Sequence, residues 1–131
     1  MYFCSSFKYL PIVMDEQTRE DIKKACQVLR EGGVILYPTD TIWGLGCDAS
    51  NPTAVRRIFS IKQREDSKSM LMLLDSDAKL NSYVPDIPDI AYDLIDMAER
   101  PLTIVYDNVR YVAPELKAED GSVEQLITYE L

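Results

Sequence analysis

No histidine occurs among the 131 residues. That absence removes Ser-His-Asp and Cys-His relays and every zinc site that needs an imidazole. Cysteine is scarce too: Cys4, Cys26 and Cys47 form no C-x-x-C pair, and their odd number argues against a disulfide framework. No apolar run approaches the ~20 residues that cross a bilayer, so no membrane association is expected. The opening MYFCSSFKYLPIVM is apolar but has no early basic region and no small-residue cleavage site, so it makes a poor signal peptide. A reducing cytoplasm is the simplest compartment. Positive charge is also short, with 14 Lys and Arg against 22 Asp and Glu, and the net charge is −8. Such a chain has no overall attraction to nucleic acid or to an anionic membrane. Any anionic ligand must be taken by a local basic site.

One such site is visible. Arg56, Arg57, Lys62, Arg64 and Lys68 crowd a short stretch interrupted only by the acids Glu65 and Asp66. The rest of the composition, 47% apolar and 27% charged, is that of an ordinary globular chain long enough for one domain.

Periodicity predicts alternating helices and strands. From Asp15 to Glu31 the apolar positions Ile22, Ala25, Cys26 and Leu29 form one helical stripe, ended by Gly32-Gly33. Cys26 sits on that stripe and reads as a small core residue rather than a nucleophile. Val34–Tyr37 reads as a strand with no alternation, hence buried on both faces. Thr39, Asp40 and Thr41 follow Pro38, then Gly44-Leu45-Gly46 is expected as a tight turn. Asn51-Pro52 opens a helix to about Lys62, with Val55, Ile58 and Phe59 inward. Lys62 continues that stripe, which directs its ammonium along the edge of the core.

Met70–Leu74 and Leu102–Tyr106 read as further strands. Between them a short helix reaches Tyr83, and a longer one runs from Pro88 to Arg100 with Ile87, Ile90, Ala91, Leu94, Ile95 and Ala98 as its apolar side. The final run from Val123 is a candidate strand. Strands alternating with helices indicate an α/β sheet.

Taken singly, these features are unremarkable. Gly44-x-Gly46 lacks the third glycine of a dinucleotide fingerprint. An isolated Thr39 or Thr41 most often bonds its own backbone, and Asp40 suits a turn or cap. Lys62-x-Arg64 suits a helix C-terminus. Together, hydroxyls at a strand end and two cations on the next helix make a candidate phosphate site at the carboxyl edge of a sheet.

The segment YPTDTIWGLGCDASNPTAVRRIFSIKQR closely resembles the signature region of the YrdC/Sua5 family, the threonylcarbamoyl-AMP synthases. The shared pattern is a strand, PT-acidic-T, an aromatic, GLG, a helix and K-x-R. Pro101-Leu102-Thr103 resembles the later PxT strand, and the likeness runs from about Asp15 to Val123. It implies a twisted mixed sheet flanked by helices around a positively lined cavity. It also implies a nucleotidyltransferase that makes threonylcarbamoyl-AMP from L-threonine, bicarbonate and ATP with Mg²⁺, for modification of adenosine 37 of tRNA. Carried over by position, Thr39 and Thr41 would contact threonine and Lys68 would help hold its carboxylate. Lys62 and Arg64 would act on the ATP phosphates, and Thr103 would line the nucleotide cavity.

Two departures are evident. Glu65 and Ser69 stand where the family often has proline. After Gly121-Ser122-Val123 the family continues with G-x-R and later S-x-N, whereas this chain reads Glu124 to Leu131. The expectation is an incomplete YrdC-like domain over 14–131, lacking its C-terminal portion, with impaired activity. Residues 1–13 are expected as an upstream extension, or equally as an edge strand over Phe7–Val13. Exposed sheet edges would favour self-association.

Two other readings are an RNA-binding module, for double-stranded RNA or tRNA, and a non-catalytic paralogue that holds another nucleotide. RNA affinity resting on several phosphate contacts would fall steeply with the logarithm of salt concentration, which separates it from catalysis.

Overall fold

The computed structural model describes residues 15–38, 42–63, 70–74, 76–98, 102–117 and 123–128, with the side chains of 77 and 124–128 excepted. The expected extension over 1–13 lies outside them.

The first helix, α1, is Glu16–Arg30. Asp15 caps it, its carboxylate accepting the Thr18 N–H at 2.7 Å. That bond to the ionised form holds the Asp15 carboxyl below its usual range. Cys26 and Leu29 are buried on the expected stripe. Cys26 is disulfide-bonded, although the cysteine count argued against such pairing. Approach in space, not parity, decides whether two thiols meet. At the helix end Gly33 N–H bonds the Val28 carbonyl at 2.8 Å, and Gly32 takes φ 78°. A Cβ on Gly32 would also lie 2.7 Å from Asn51 Nδ2, so two independent constraints keep this position bare.

Strand β1, Ile35–Pro38, pairs antiparallel with β2, Trp43–Gly46. This corrects two expectations. The first strand is not buried on both faces: its burial alternates, and Leu36 is 63% exposed. Within a two-stranded antiparallel ladder one face can stay in water. The glycines do not form a turn either, because Gly44 and Gly46 lie inside β2 opposite Tyr37 and Ile35. A Cβ on Gly44 would come within 2.9 Å of the Tyr37 ring, so glycine is there to let the aromatic ring lie against the backbone.

Helix α2 is Pro52–Lys62. Three strands form a mixed sheet in the order β3-β5-β4, where β3 is Met72–Leu74, β4 is Leu102–Tyr106 and β5 is Val123–Thr128. Strand β5 runs parallel to β3 and antiparallel to β4, with a register shift between Ile104 and Tyr106. The tail, where the family likeness was expected to fail, is therefore the central strand. Its Leu126 pairs with both Met72 and Ile104.

Between β3 and β4 lie a 3₁₀ turn, Asp77–Lys79, and helices α3, Leu80–Tyr83, and α4, Asp89–Asp96. Helix α4 is shorter than expected, and Ile90 and Leu94 are 62% and 46% exposed rather than buried. Its inner contacts are Ile87, Ala91 and Ile95, so the apolar arc of the sequence is wider than the core it meets.

The core is filled by Val55 and Ile58 of α2, Leu80, Val84, Val109 and Val123. The segment after β4 is stitched to distant backbone by Arg110 N–H to Tyr83 C=O at 2.7 Å and Ala113 N–H to Ala49 C=O at 2.8 Å. It contains a second 3₁₀ turn, Pro114–Leu116.

Gly32→Ala is expected to cost roughly 1–2 kcal/mol, because an L-residue is disfavoured in the left-handed region. Asn51→Ala should cost about 1 kcal/mol through the lost helix cap. As the two residues touch, the double variant should fall short of the sum in urea denaturation.

Candidate active site

The site is assembled around the run from β1 to the end of α2. The hairpin closes on Pro38 opposite Trp43, and Ile42 and Trp43 are 75% and 65% exposed. In sequence, Thr39, Asp40 and Thr41 fall between these strands, outside the described residues. Beyond β2, Asp48 Oδ1 accepts from Ser50 N–H at 2.8 Å and from Ser50 Oγ at 2.6 Å, turning the chain toward α2. Asn51 then caps the helix, its Oδ1 accepting from Thr53 N–H at 3.0 Å and Ala54 N–H at 3.2 Å. Pro52 occupies the first turn, as expected.

Burial of Ala54, Val55 and Ile58 fixes the rotation of α2, and its last residue is Lys62. Lys62 is exposed rather than drawn along the core edge. The helix ends there, and its C-cap Gln63 takes a left-handed φ of 51°. Among the described residues no ion pair engages the Lys62 ammonium, which leaves it available to an anion. Arg64 and Lys68 lie outside the described residues.

The arginines of the basic island separate in space. Arg56 makes an ion pair with Glu115 on the second 3₁₀ turn and reaches Thr53 Oγ1 at 3.4 Å. Arg57 is exposed. The Arg56 contact spans 59 positions of sequence, and no local signal announces it. Thr103 occupies an exposed position of β4, where its neighbours Leu102 and Ile104 turn inward. Lys62 and Thr103 are thus both exposed, on the end of a helix and on the face of a sheet.

Burial, first, and the neighbouring Asp48 push the Cys47 thiol up to about 11. It remains protonated at neutral pH and is a core residue rather than a nucleophile. Tyr106 is also buried, which raises its phenol, and among the described residues its hydroxyl has no hydrogen-bond partner. Among the described residues no group of three or more Cys, Asp or Glu side chains is placed to hold a metal ion, and no helix is long and apolar enough to cross a membrane.

A protein-family model for Sua5/YciO/YrdC, described as telomere recombination, matches residues 27–128. The chain belongs to the Sua5/YciO/YrdC family. The match includes β5 and so extends past Val123. Threonylcarbamoyl-AMP synthase of Pseudomonas aeruginosa strain UCBPP-PA14 is 42% identical over 69 residues, covering 53% of this chain and 37% of that protein. The match thus spans little more than a third of that curated relative. Among solved structures, P. abyssi Sua5 complexed with L-threonine superposes with a TM-score of 0.71 at 28% identity, covering 83% of this chain and 32% of the other. E. coli YciO, at 24% identity and a TM-score of 0.69, shares the fold, with 84% of this chain and 53% of that one covered. The α/β YrdC-like architecture expected from the signature is the one observed.

The folded chain should hold the Cys47 proton to higher pH than the unfolded chain. The stability this contributes is complete below pH 9.0 and is lost as pH rises through about 11. Urea midpoints measured across that window should fall more for the parent than for Cys47→Ala. Arg56→Ala should cost less than about 1 kcal/mol, because the guanidinium is largely in water and exposed pairs contribute little.

Proposed function

We propose that this Sua5/YciO/YrdC chain carries the threonine- and ATP-binding part of an L-threonylcarbamoyladenylate synthase. The observation that carries the reading is the exposed Lys62, in no ion pair among the described residues, at the end of a helix capped by Asn51 and packed through Ala54, Val55 and Ile58. It follows directly on the hairpin that brackets the Pro-Thr-Asp-Thr segment. The relationship to threonylcarbamoyl-AMP synthases and to a Sua5 complexed with L-threonine supports this choice of substrates.

In this reaction the threonine amine adds to bicarbonate, with loss of water, to give a carbamate. A carbamate oxygen then attacks the α-phosphorus of ATP, the bond to the bridging oxygen breaks, and pyrophosphate leaves. Such a transfer depends on positioning and charge neutralisation more than on a protein nucleophile. Lys62 and Arg64 supply fixed positive charge to the phosphates. Thr39 and Thr41 hydrogen-bond threonine, Lys68 faces its carboxylate, and Thr103 lines the nucleotide side. Mg²⁺ enters with ATP as the substrate's counter-ion. The product serves tRNA modification in the cytoplasm.

The RNA-binding reading is weaker. Arg56 is already committed to Glu115, and the chain carries a net charge of −8. Self-association remains part of the proposal. Among the described residues, β3 and β4 each pair on one side only.

Threonine-dependent pyrophosphate release should be measured with ATP, bicarbonate and Mg²⁺. Lys62→Ala is expected to lower it about 100-fold, the scale of losing one preorganised charge-stabilising group. Threonine at about 100 times its dissociation constant should stabilise the chain by about 2.7 kcal/mol, and Thr41→Ala should abolish that shift. Absence of both pyrophosphate release and a threonine-dependent shift would refute the reading. Sedimentation that stays monomeric at all concentrations would refute self-association.

A further inference from the structure

The outward side of α4 has no part in that chemistry. At 3.6 residues per turn, Ile87, Ala91 and Ile95 share the side packed against the core. Ile90, Leu94 and Met97, spaced i, i+4, i+7, form the adjoining stripe and are 62%, 46% and 79% exposed. A single exposed apolar residue is ordinary, but a contiguous row on one helix marks an interaction surface. Along its far side lie Asp89, Asp93 and Asp96, and Asp86 precedes the helix; all four are exposed. No Lys or Arg occurs from Leu80 to Ala98. Among the described residues none of these carboxylates is in an ion pair.

We propose that this face docks a cationic amphipathic segment of a partner protein. Its apolar side chains would cover Ile90, Leu94 and Met97, and its Lys or Arg heads would meet the aspartate row. The charge pattern selects this occupant. A second copy docking through the same face would set one aspartate row against another, and an anionic lipid or nucleic acid would be repelled in the same way. The apolar stripe beside the carboxylates separates a docked segment from a diffuse counter-ion, because it rewards a partner whose two chemistries are segregated on one face. A single helix face belongs to the small, transient class of interfaces, below about 1,200 Å² in total.

The test is a fluorescence-anisotropy titration of this chain with a labelled peptide of Lys and Leu at helical spacing. Its scrambled isomer and a version with Glu in place of Lys serve as competitors. The amphipathic peptide should bind, more weakly at high salt, and both competitors should fail. The triple variant Asp89→Asn/Asp93→Asn/Asp96→Asn should weaken binding about eightfold, about twofold per exposed ion pair. Ile90→Ser/Leu94→Ser should weaken it as well, while Glu20→Gln/Asp21→Asn on α1 should leave it unchanged. Since the substituted α4 side chains are exposed, circular dichroism should show the fold intact, and the aspartate variant stands on its own if the serine variant misfolds. Equal binding of the scrambled isomer, or equal loss in the α1 control, would overturn the proposal as mere charge attraction. So would a dimer of the parent that Ile90→Ser/Leu94→Ser converts to monomer, which would assign the face to a second copy.

Discussion

The contact between Asn51 and Gly32 is the joint on which the functional segment turns. Asn51 must reach the free N–H groups of Thr53 and Ala54 to start α2, and its amide nitrogen lies where any side chain at position 32 would stand. The stop of α1 and the start of α2 are therefore a single constraint, although 19 positions separate them in sequence (51 minus 32). Once α2 is started there, the burial of Val55 and Ile58 sets its rotation, and Lys62 emerges from the core at its last turn. The cation's position is a consequence of packing at the opposite end of the helix.

Around this joint the molecule divides its polar chemistry unevenly. The basic island looks uniform in the sequence, yet one of its arginines is spent on tertiary structure: Arg56 ties α2 to the turn at Pro114–Leu116 through Glu115. Lys62 makes no ion pair among the described residues. Two cationic residues six positions apart on one helix thus differ: Arg56 is a structural tie, and Lys62 is exposed. The acidic surplus is concentrated elsewhere, on the outer side of α4, beside apolar residues that the core does not use.

Much of the fold was legible in local pattern. The caps at Asp15 and Asn51, proline in the first turn of α2, and the i, i+3, i+4 stripes of α1 and α2 are decided by interactions within one helical turn. The site was legible in part, for a similar reason: hydroxyls, glycines and cations in fixed order make a recognisable signature without any knowledge of contacts. What local pattern misjudged was exposure and pairing. Leu36 lies in an apolar run yet faces water, because a two-stranded ladder covers only one of its faces. Gly44 looked like a turn and proved to be a strand residue under an aromatic ring.

By itself, then, the sequence determined the family and the helix boundaries of α1 and α2, since each of these is written in short-range order. The tertiary structure alone decided that Val123–Thr128 becomes the central strand, that Arg56 is occupied while Lys62 is open, and that α4 leaves an apolar stripe uncovered. Those outcomes depend on which surfaces meet across long stretches of chain. Gly44 and Gly46, expected in a tight turn, are part of the wall of a hairpin, and the capped helix α2 follows it. That helix, held at Gly32 and packed at Ile58, is what presents the cation.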